Sequence, residues 1–145
     1  METVPASSVR AAKDLRAVFS RLRRRLREVA GLGDLTPSQT SVLSRLERGI
    51  PASASALATL ERVRPQSMAA TLAAIQEHGL IERHPDPDDG RRQLISLTEA
   101  GREAIAGSRR QREEWLARAL TDHYSEAERQ TIIEALALLD RLVEL

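Results

Sequence analysis

A chain of 145 residues with 41% apolar side chains can bury one core and still carry a second small subdomain. One Phe, one Tyr and one Trp leave that core to Leu, Ile, Val and Ala, as in packed helices, and argue against platforms for stacking single-stranded bases; the absence of cysteine excludes disulfides, thiolate nucleophiles, thiol redox sensing and cysteine zinc sites. The net charge of +1 is unevenly spread: residues 1–98 carry 15 Lys and Arg against 11 Asp and Glu, while residues 99–145 carry 7 against 10, which suggests a basic working end on an acidic or neutral scaffold.

The opening stretch METVPASSVRAAKDL lacks the apolar core of a signal peptide, and no run of about eighteen apolar residues follows. A soluble, cytoplasmic protein without a membrane partner is the expectation. From Ser8 to Ala30 the residues Leu15, Val18, Phe19, Leu22, Leu26 and Val29 recur at helical spacing, and Gly31 and Gly33 end the helix. Its other faces carry Arg16, Arg21, Arg23, Arg24, Arg25 and Arg27, either a solvated surface or an added attraction for phosphates.

A second helix is predicted from Thr36-Pro37-Ser38-Gln39, a cap, a first-turn proline and the return partner of a capping box. Val42, Leu43 and Leu46 extend its apolar face, and Gly49-Ile50-Pro51 breaks it. Ser53 opens a short third helix through Leu57 and Leu60 to about Arg62. After Val63-Arg64-Pro65 a fourth runs to His78, with Met68, Leu72 and Ile75 inward and Gly79 as its stop. Two short helices joined by a tight turn form a helix-turn-helix pattern, here with Pro where Gly is usual.

The period then changes. Leu80-Ile81-Glu82-Arg83 and Gln93-Leu94-Ile95-Ser96-Leu97 read as strands, Leu94 and Ile95 leaving the inward face open. Between them His84-Pro85-Asp86-Pro87-Asp88-Asp89-Gly90-Arg91-Arg92 is a loop tip, and a hairpin in this place is a wing. Thr98 caps a long fifth helix through Ile105 and Trp115 to about Leu120, and Ser125-Glu126-Ala127-Glu128 opens the last. Ile132, Leu136, Leu139 and Val143, widened by Ile133, Leu138 and Leu142, make a stripe too broad for one small neighbour, so part of it is expected on a second chain. The fold class is mainly α with a small β-hairpin wing: a winged helix-turn-helix domain at 34–98, between an N-terminal helix at 1–33 and C-terminal helices at 99–145, to both of which the resemblance given below assigns dimerisation.

No catalytic constellation is visible. The histidines are His78, His84 and His123, and neither a Ser-His-Asp grouping nor a glycine-rich phosphate loop appears. Asp86, Asp88 and Asp89 fit a wing between prolines and arginines better than a metal site, and His78 and His84 with Glu77 and Glu82 read as surface residues. Neither an enzyme nor a bound cofactor is expected.

The order of elements, with Leu35-Thr36-Pro37-Ser38-Gln39, Gly79-Leu80-Ile81-Glu82-Arg83 and Asp86-Pro87-Asp88-Asp89-Gly90-Arg91-Arg92 before Leu94-Ile95-Ser96-Leu97-Thr98-Glu99-Ala100-Gly101, resembles the MarR (multiple antibiotic resistance regulator) family over nearly the whole chain. Asp89-Gly90-Arg91 fits the family's Asp-x-Arg wing pattern. The resemblance implies a transcription regulator, a repressor, acting on double-stranded DNA. It also implies a homodimer in which the first and last two helices interlock, with two winged domains on one pseudo-palindromic operator. Half-sites then lie about one helical turn, roughly 34–36 Å, apart. Family members commonly leave DNA when a small phenolic or aromatic anion binds between winged domain and dimer helices; no residue of the first, second or fifth helix is singled out for that here.

Roles follow by position on that frame. Pro65, Gln66, Ser67, Met68 and Thr71 stand at the start of the recognition helix, and Gln66 is the leading candidate for a base contact because its amide can pair bidentately with adenine. Arg64 and Arg83 are assigned to phosphates. Ser53 caps its helix, contacts a phosphate, or does both. Arg91, oriented by Asp89, resembles the arginine that enters a narrow minor groove, with Arg92 as the adjacent alternative. A winged domain that binds protein instead of DNA is the competing reading, and salt dependence of duplex binding separates the two.

Overall fold

The computed structural model describes residues 3–49 and 51–145; Met1, Glu2 and Ile50, the last within the expected Gly49-Ile50-Pro51 break, lie outside the described residues. Six helices and one hairpin follow in the order α1 (Ala6–Val29), α2 (Pro37–Arg48), α3 (Ala54–Glu61), α4 (Pro65–Glu77), β1 (Ile81–Pro85), β2 (Gln93–Leu97), α5 (Glu99–His123) and α6 (Glu126–Val143). The architecture is mainly helical with a two-stranded antiparallel wing, as the periodicities predict. Element ends shift: α1 stops at Val29, α5 continues to His123, and β1 starts at Ile81 and takes in His84 and Pro85, expected in the loop, because the prolyl residue sits at the end of an edge strand.

Capping chemistry sets most helix starts. Thr36 with Gln39 and Ser125 with Glu128 form the two expected capping boxes, each side chain accepting the N–H that the other end of the box leaves open. The α3–α4 turn works without glycine because Arg62 itself takes the left-handed conformation, at φ 56° and ψ 43°. Val63 N–H then closes on the Ala58 carbonyl at 3.0 Å, and Pro65 supplies the fixed φ of the first α4 residue.

One cluster forms the core: Val42, Leu43 and Leu46 of α2, Leu57 and Ala58 of α3, Met68, Leu72 and Ile75 of α4, Ile81, Ile95 and Leu97 of the hairpin, and Ile105 of α5. No aromatic side chain enters it. Strand register pairs Ile81 with Leu97 and Arg83 with Ile95, so Ile95 is the strand residue turned inward and Leu94 is half-buried. Leu60 is 52% exposed. The buried stripe of α3 runs through Ala54, Leu57 and Ala58 at the i, i+3, i+4 spacing, which turns position 60 away from α2 and α4.

The hairpin has a third neighbour that no sequence pattern announces. Ala52, just before α3, bridges Ile95: Ala52 N–H donates to the Ile95 carbonyl at 3.2 Å and Ile95 N–H to the Ala52 carbonyl at 2.8 Å. At the other end Thr98 N–H reaches the Leu80 carbonyl at 3.0 Å, and Thr98 Oγ1 donates to the Gly79 carbonyl at 2.6 Å while accepting Gly101 N–H at 3.0 Å. Thr98→Ala therefore loses a cap and a second bond together, and is expected to cost about 1–2 kcal/mol, read as a lowered midpoint of urea unfolding at unchanged slope.

The long helices join this unit sparingly. Ser108 Oγ and Arg112 Nε of α5 both donate to the carbonyl of buried Ala30, at 2.8 and 3.1 Å, and pin the end of α1. Neither α1 nor α6 has a buried residue, and Val18, Phe19, Leu22, Ile133, Leu136, Leu138 and Leu142 are exposed. Among the described residues no helix is long and apolar enough to cross a membrane.

Candidate nucleic-acid interface

The second helix of the helix-turn-helix presents a sharply divided surface. Met68, Leu72 and Ile75 are buried, which by the helical period turns Gln66, Ala69, Ala70 and Ala73 outward; Ser67 is exposed and Thr71 half-buried. Met68 is therefore withdrawn from the candidate contacts: at 1% exposure it is a core residue, two positions from Gln66 and on the opposite side of the helix. The three alanines carry no chemical signal in the sequence, although the same stripe points them outward. Their small side chains keep the middle of this face low, so that a large surface can approach the α4 backbone.

Arg64 and Pro65 are exposed at the start of α4. Thr36, Ser53, Thr98 and Ser125 each accept an N–H at their helix starts, whereas no side chain caps α4. Its first-turn N–H groups remain open to an acceptor from outside.

The wing is a loop held by its own backbone and its aspartates. Asp86 N–H donates to the Arg92 carbonyl and Arg92 N–H to the Asp89 carbonyl, both at 2.9 Å. Asp86 Oδ1 accepts Asp88 N–H at 2.9 Å and Asp89 Oδ1 accepts Arg91 N–H at 3.1 Å. Asp89 thus orients Arg91 through the main chain, and its carboxylate does not pair with the guanidinium. These Asx turns consume acceptor capacity that would otherwise neutralise the arginines. Arg64, Arg83, Arg91 and Arg92 make no ion pair among the described residues, where other arginines pair with Asp14, Glu28, Glu47, Glu61, Glu99 and Glu126.

Ser53 and Arg92, 39 positions apart, are brought together: Arg92 Nη2 donates to Ser53 Oγ at 3.2 Å, and the same oxygen accepts Ala56 N–H at 3.1 Å. With Arg83, whose Nε donates to Gln76 Oε1 at 3.0 Å, they line a groove of about 590 Å³ beside the start of α3. Gln76 is a further residue that no sequence signal singles out. The face therefore combines a low helix surface, an uncapped helix start and unneutralised arginines on a two-stranded hairpin. No group of three or more His, Asp or Glu able to hold a metal occurs among the described residues.

The chain is 38% identical over 138 residues to an HTH-type transcriptional regulator of Mycobacterium bovis, covering 95% of this chain and 96% of that one. The sequence model of the MarR family matches residues 35–92, from the residue before the Thr36 cap to the foot of the wing. The chain belongs to the MarR family. It is accordingly a winged-helix, DNA-binding transcriptional regulator.

Among solved MarR-like folds, a transcriptional regulator of Pseudomonas aeruginosa superposes with a TM-score of 0.85 at 37% identity, over 98% of this chain and 99% of that one. At 20% identity, where the likeness concerns the fold, a point mutant of MepR from S. aureus, solved bound to an oligodeoxyribonucleotide, gives 0.70 over 90% of this chain and 96% of that one. Within the matched stretch, Asp89-Gly90-Arg91 has its arginine exposed and its aspartate built into the turn.

Proposed function

We propose that the chain is a homodimeric repressor that grips a pseudo-palindromic operator with α4 in the major groove and Arg91 of each wing in the flanking minor groove. The observation that carries this is the state of the wing: its aspartates are spent on backbone N–H groups, and the guanidinium of exposed Arg91 is left unpaired among the described residues. A free guanidinium on a narrow loop suits the deepened negative potential of an A·T-rich minor groove. Gln66 and Ser67 supply direct readout, with Arg64 and Arg83 on phosphates. Ser53 acts through its cap and through Arg92. Binding to random duplex DNA is expected to fall steeply with added salt. Salt-insensitive binding would instead favour a winged module that recognises protein.

Gln66→Ala is expected to relax discrimination between the operator and single-base variants by about 1–3 kcal/mol per altered half-site, measured by competition titration. Equal loss on random and specific DNA would remove Gln66 from base readout.

Dimerisation is supported by the bare apolar faces of α1 and α6, which carry Phe19, Leu22, Ile133, Leu136 and Leu138 in the open. Such an area on a small chain is covered by a like surface in a closed two-fold pair. Leu136→Glu is expected to shift sedimentation from dimer toward monomer and to weaken operator binding with it. A cleft of about 360 Å³ between α1, α2 and α5, where Phe19, Leu22 and Leu26 face Arg23, Arg27 and Arg112, supports a small aromatic anion as effector. Arg112 also holds the Ala30 carbonyl at 3.1 Å, so an anion that draws its guanidinium away would loosen α1 from α5. That would favour a half-site spacing that no longer matches DNA.

A further inference from the structure

The two adjacent arginines of the wing stand in unlike settings. Arg91 is held through its main chain alone, its N–H on Asp89 Oδ1 and its guanidinium without a hydrogen-bond or ion-pair partner among the described residues. Arg92 is fixed at three points: its N–H donates to the Asp89 carbonyl, its carbonyl accepts Asp86 N–H, and its guanidinium donates to Ser53 Oγ. Ser53 is itself buried, 7% exposed, with its hydroxyl oxygen accepting the Ala56 N–H that it caps.

These bonds form a series. Ala52 and Ile95 exchange two main-chain hydrogen bonds and tie the middle of β2 to the chain entering α3. Arg92 and Ser53 add a second tie one residue further along the entering chain and nearer the loop. Beyond that point nothing long-range holds the tip: Asp88, Asp89, Gly90 and Arg91 have no hydrogen bond outside the loop among the described residues. Thr98 holds the root of the hairpin and Arg83 ties β1 to Gln76 of α4, level with the Ala52–Ile95 bridge; with these ties alone the part beyond them can still pitch, and a tie near the tip removes that freedom. α3 packs on α4, so a wing fastened to α3 is fastened to the recognition helix as well.

We propose that Arg92 is a positioning residue: its bond to Ser53 fixes the pitch of the wing against α3 and α4 and so aims Arg91. The inference rests on Arg91 being the wing residue that enters DNA. It assigns different work to the two arginines that the sequence leaves interchangeable. The gain is preorganisation, because the tip then loses little freedom on binding.

A double-mutant cycle on the full chain decides the matter, using the duplex that the unaltered protein selects from random DNA. Arg92→Ala is expected to weaken binding about fivefold in the unaltered background and less than twofold once Arg91→Ala is present, because a brace acting through Arg91 has nothing left to aim. Ser53→Gly, tolerated at a helix start, is expected to reproduce the Arg92→Ala loss and not to add to it. Without DNA, both Arg92→Ala and Ser53→Gly are expected to speed amide exchange at Gly90 and Arg91, while the amides of α4 keep their protection.

Equal losses from Arg92→Ala in both backgrounds would show that Arg92 touches DNA itself and overturn the inference. So would unchanged tip exchange in Ser53→Gly. If the unaltered chain selected no duplex, the assignment of Arg91 to DNA would fall, and the exchange measurement alone would decide whether Arg92 braces the wing.

Discussion

Replacing Gly101 by alanine is expected to destabilise the fold by about 3 kcal/mol, the upper end for forcing one extra carbon into a packed site. A Cβ at this position would fall on the Leu80 carbonyl oxygen and lie 3.1 Å from its carbon. The obstacle is backbone, and it is held: the same carbonyl accepts Thr98 N–H at 3.0 Å, and Thr98 Oγ1 grips the neighbouring Gly79 carbonyl. Relief requires α5 to move off the root of the hairpin, which would open the packing of Ile105 against the core. Thermal unfolding should show a midpoint lower by roughly 10 °C. Gly107 is the internal control, since nothing lies within 4 Å of a Cβ there and alanine favours the helix. Gly107→Ala should leave the midpoint unchanged or raise it; a similar fall in both variants would refute the steric account.

Arg91→Ala is expected to lower operator affinity roughly a hundredfold at fixed salt, about 2.8 kcal/mol, because in the proposed dimer the substitution acts in both wings. The side chain is exposed and makes no hydrogen bond among the described residues, so the unfolding midpoint should not change. The slope of log affinity against log salt should become shallower, by up to about one unit for each arginine withdrawn from the DNA backbone. Unchanged affinity in an anisotropy titration would remove Arg91 from the interface. Asp89→Ala is expected to give a smaller loss of the same kind, since it frees the Arg91 main chain and leaves the charge in place.

Several features are legible in the sequence because they depend on local spacing. Met68, Leu72 and Ile75 declare a helix face by their period, and Thr36 with Gln39 declares a cap by chemistry confined to four residues. The prolines and glycine of His84 to Arg92 declare a loop, which the fold keeps from Asp86 onward while His84 and Pro85 continue β1. The same logic shows why Met68 could not serve both as a core residue and as a DNA contact, and why Leu60 falls outside the stripe that Leu57 and Ala58 define.

The order of the elements, the aromatic-free core, the cysteine-free chemistry and the resemblance to a family of regulators all follow from the amino-acid string. Each is a property of composition or of neighbours along the chain. Packing in three dimensions settles what depends on residues far apart: the Ala52–Ile95 bridge, the carbonyl of Leu80 above Gly101, and the bond from Arg92 to Ser53. No periodicity encodes a hydrogen bond across 39 positions, because bonds of that kind follow from where packed elements come to rest. The doubled arginine of the wing shows the division. In sequence its members are equivalent neighbours; in the fold one is bonded to Ser53 at the start of α3 and the other has no partner among the described residues.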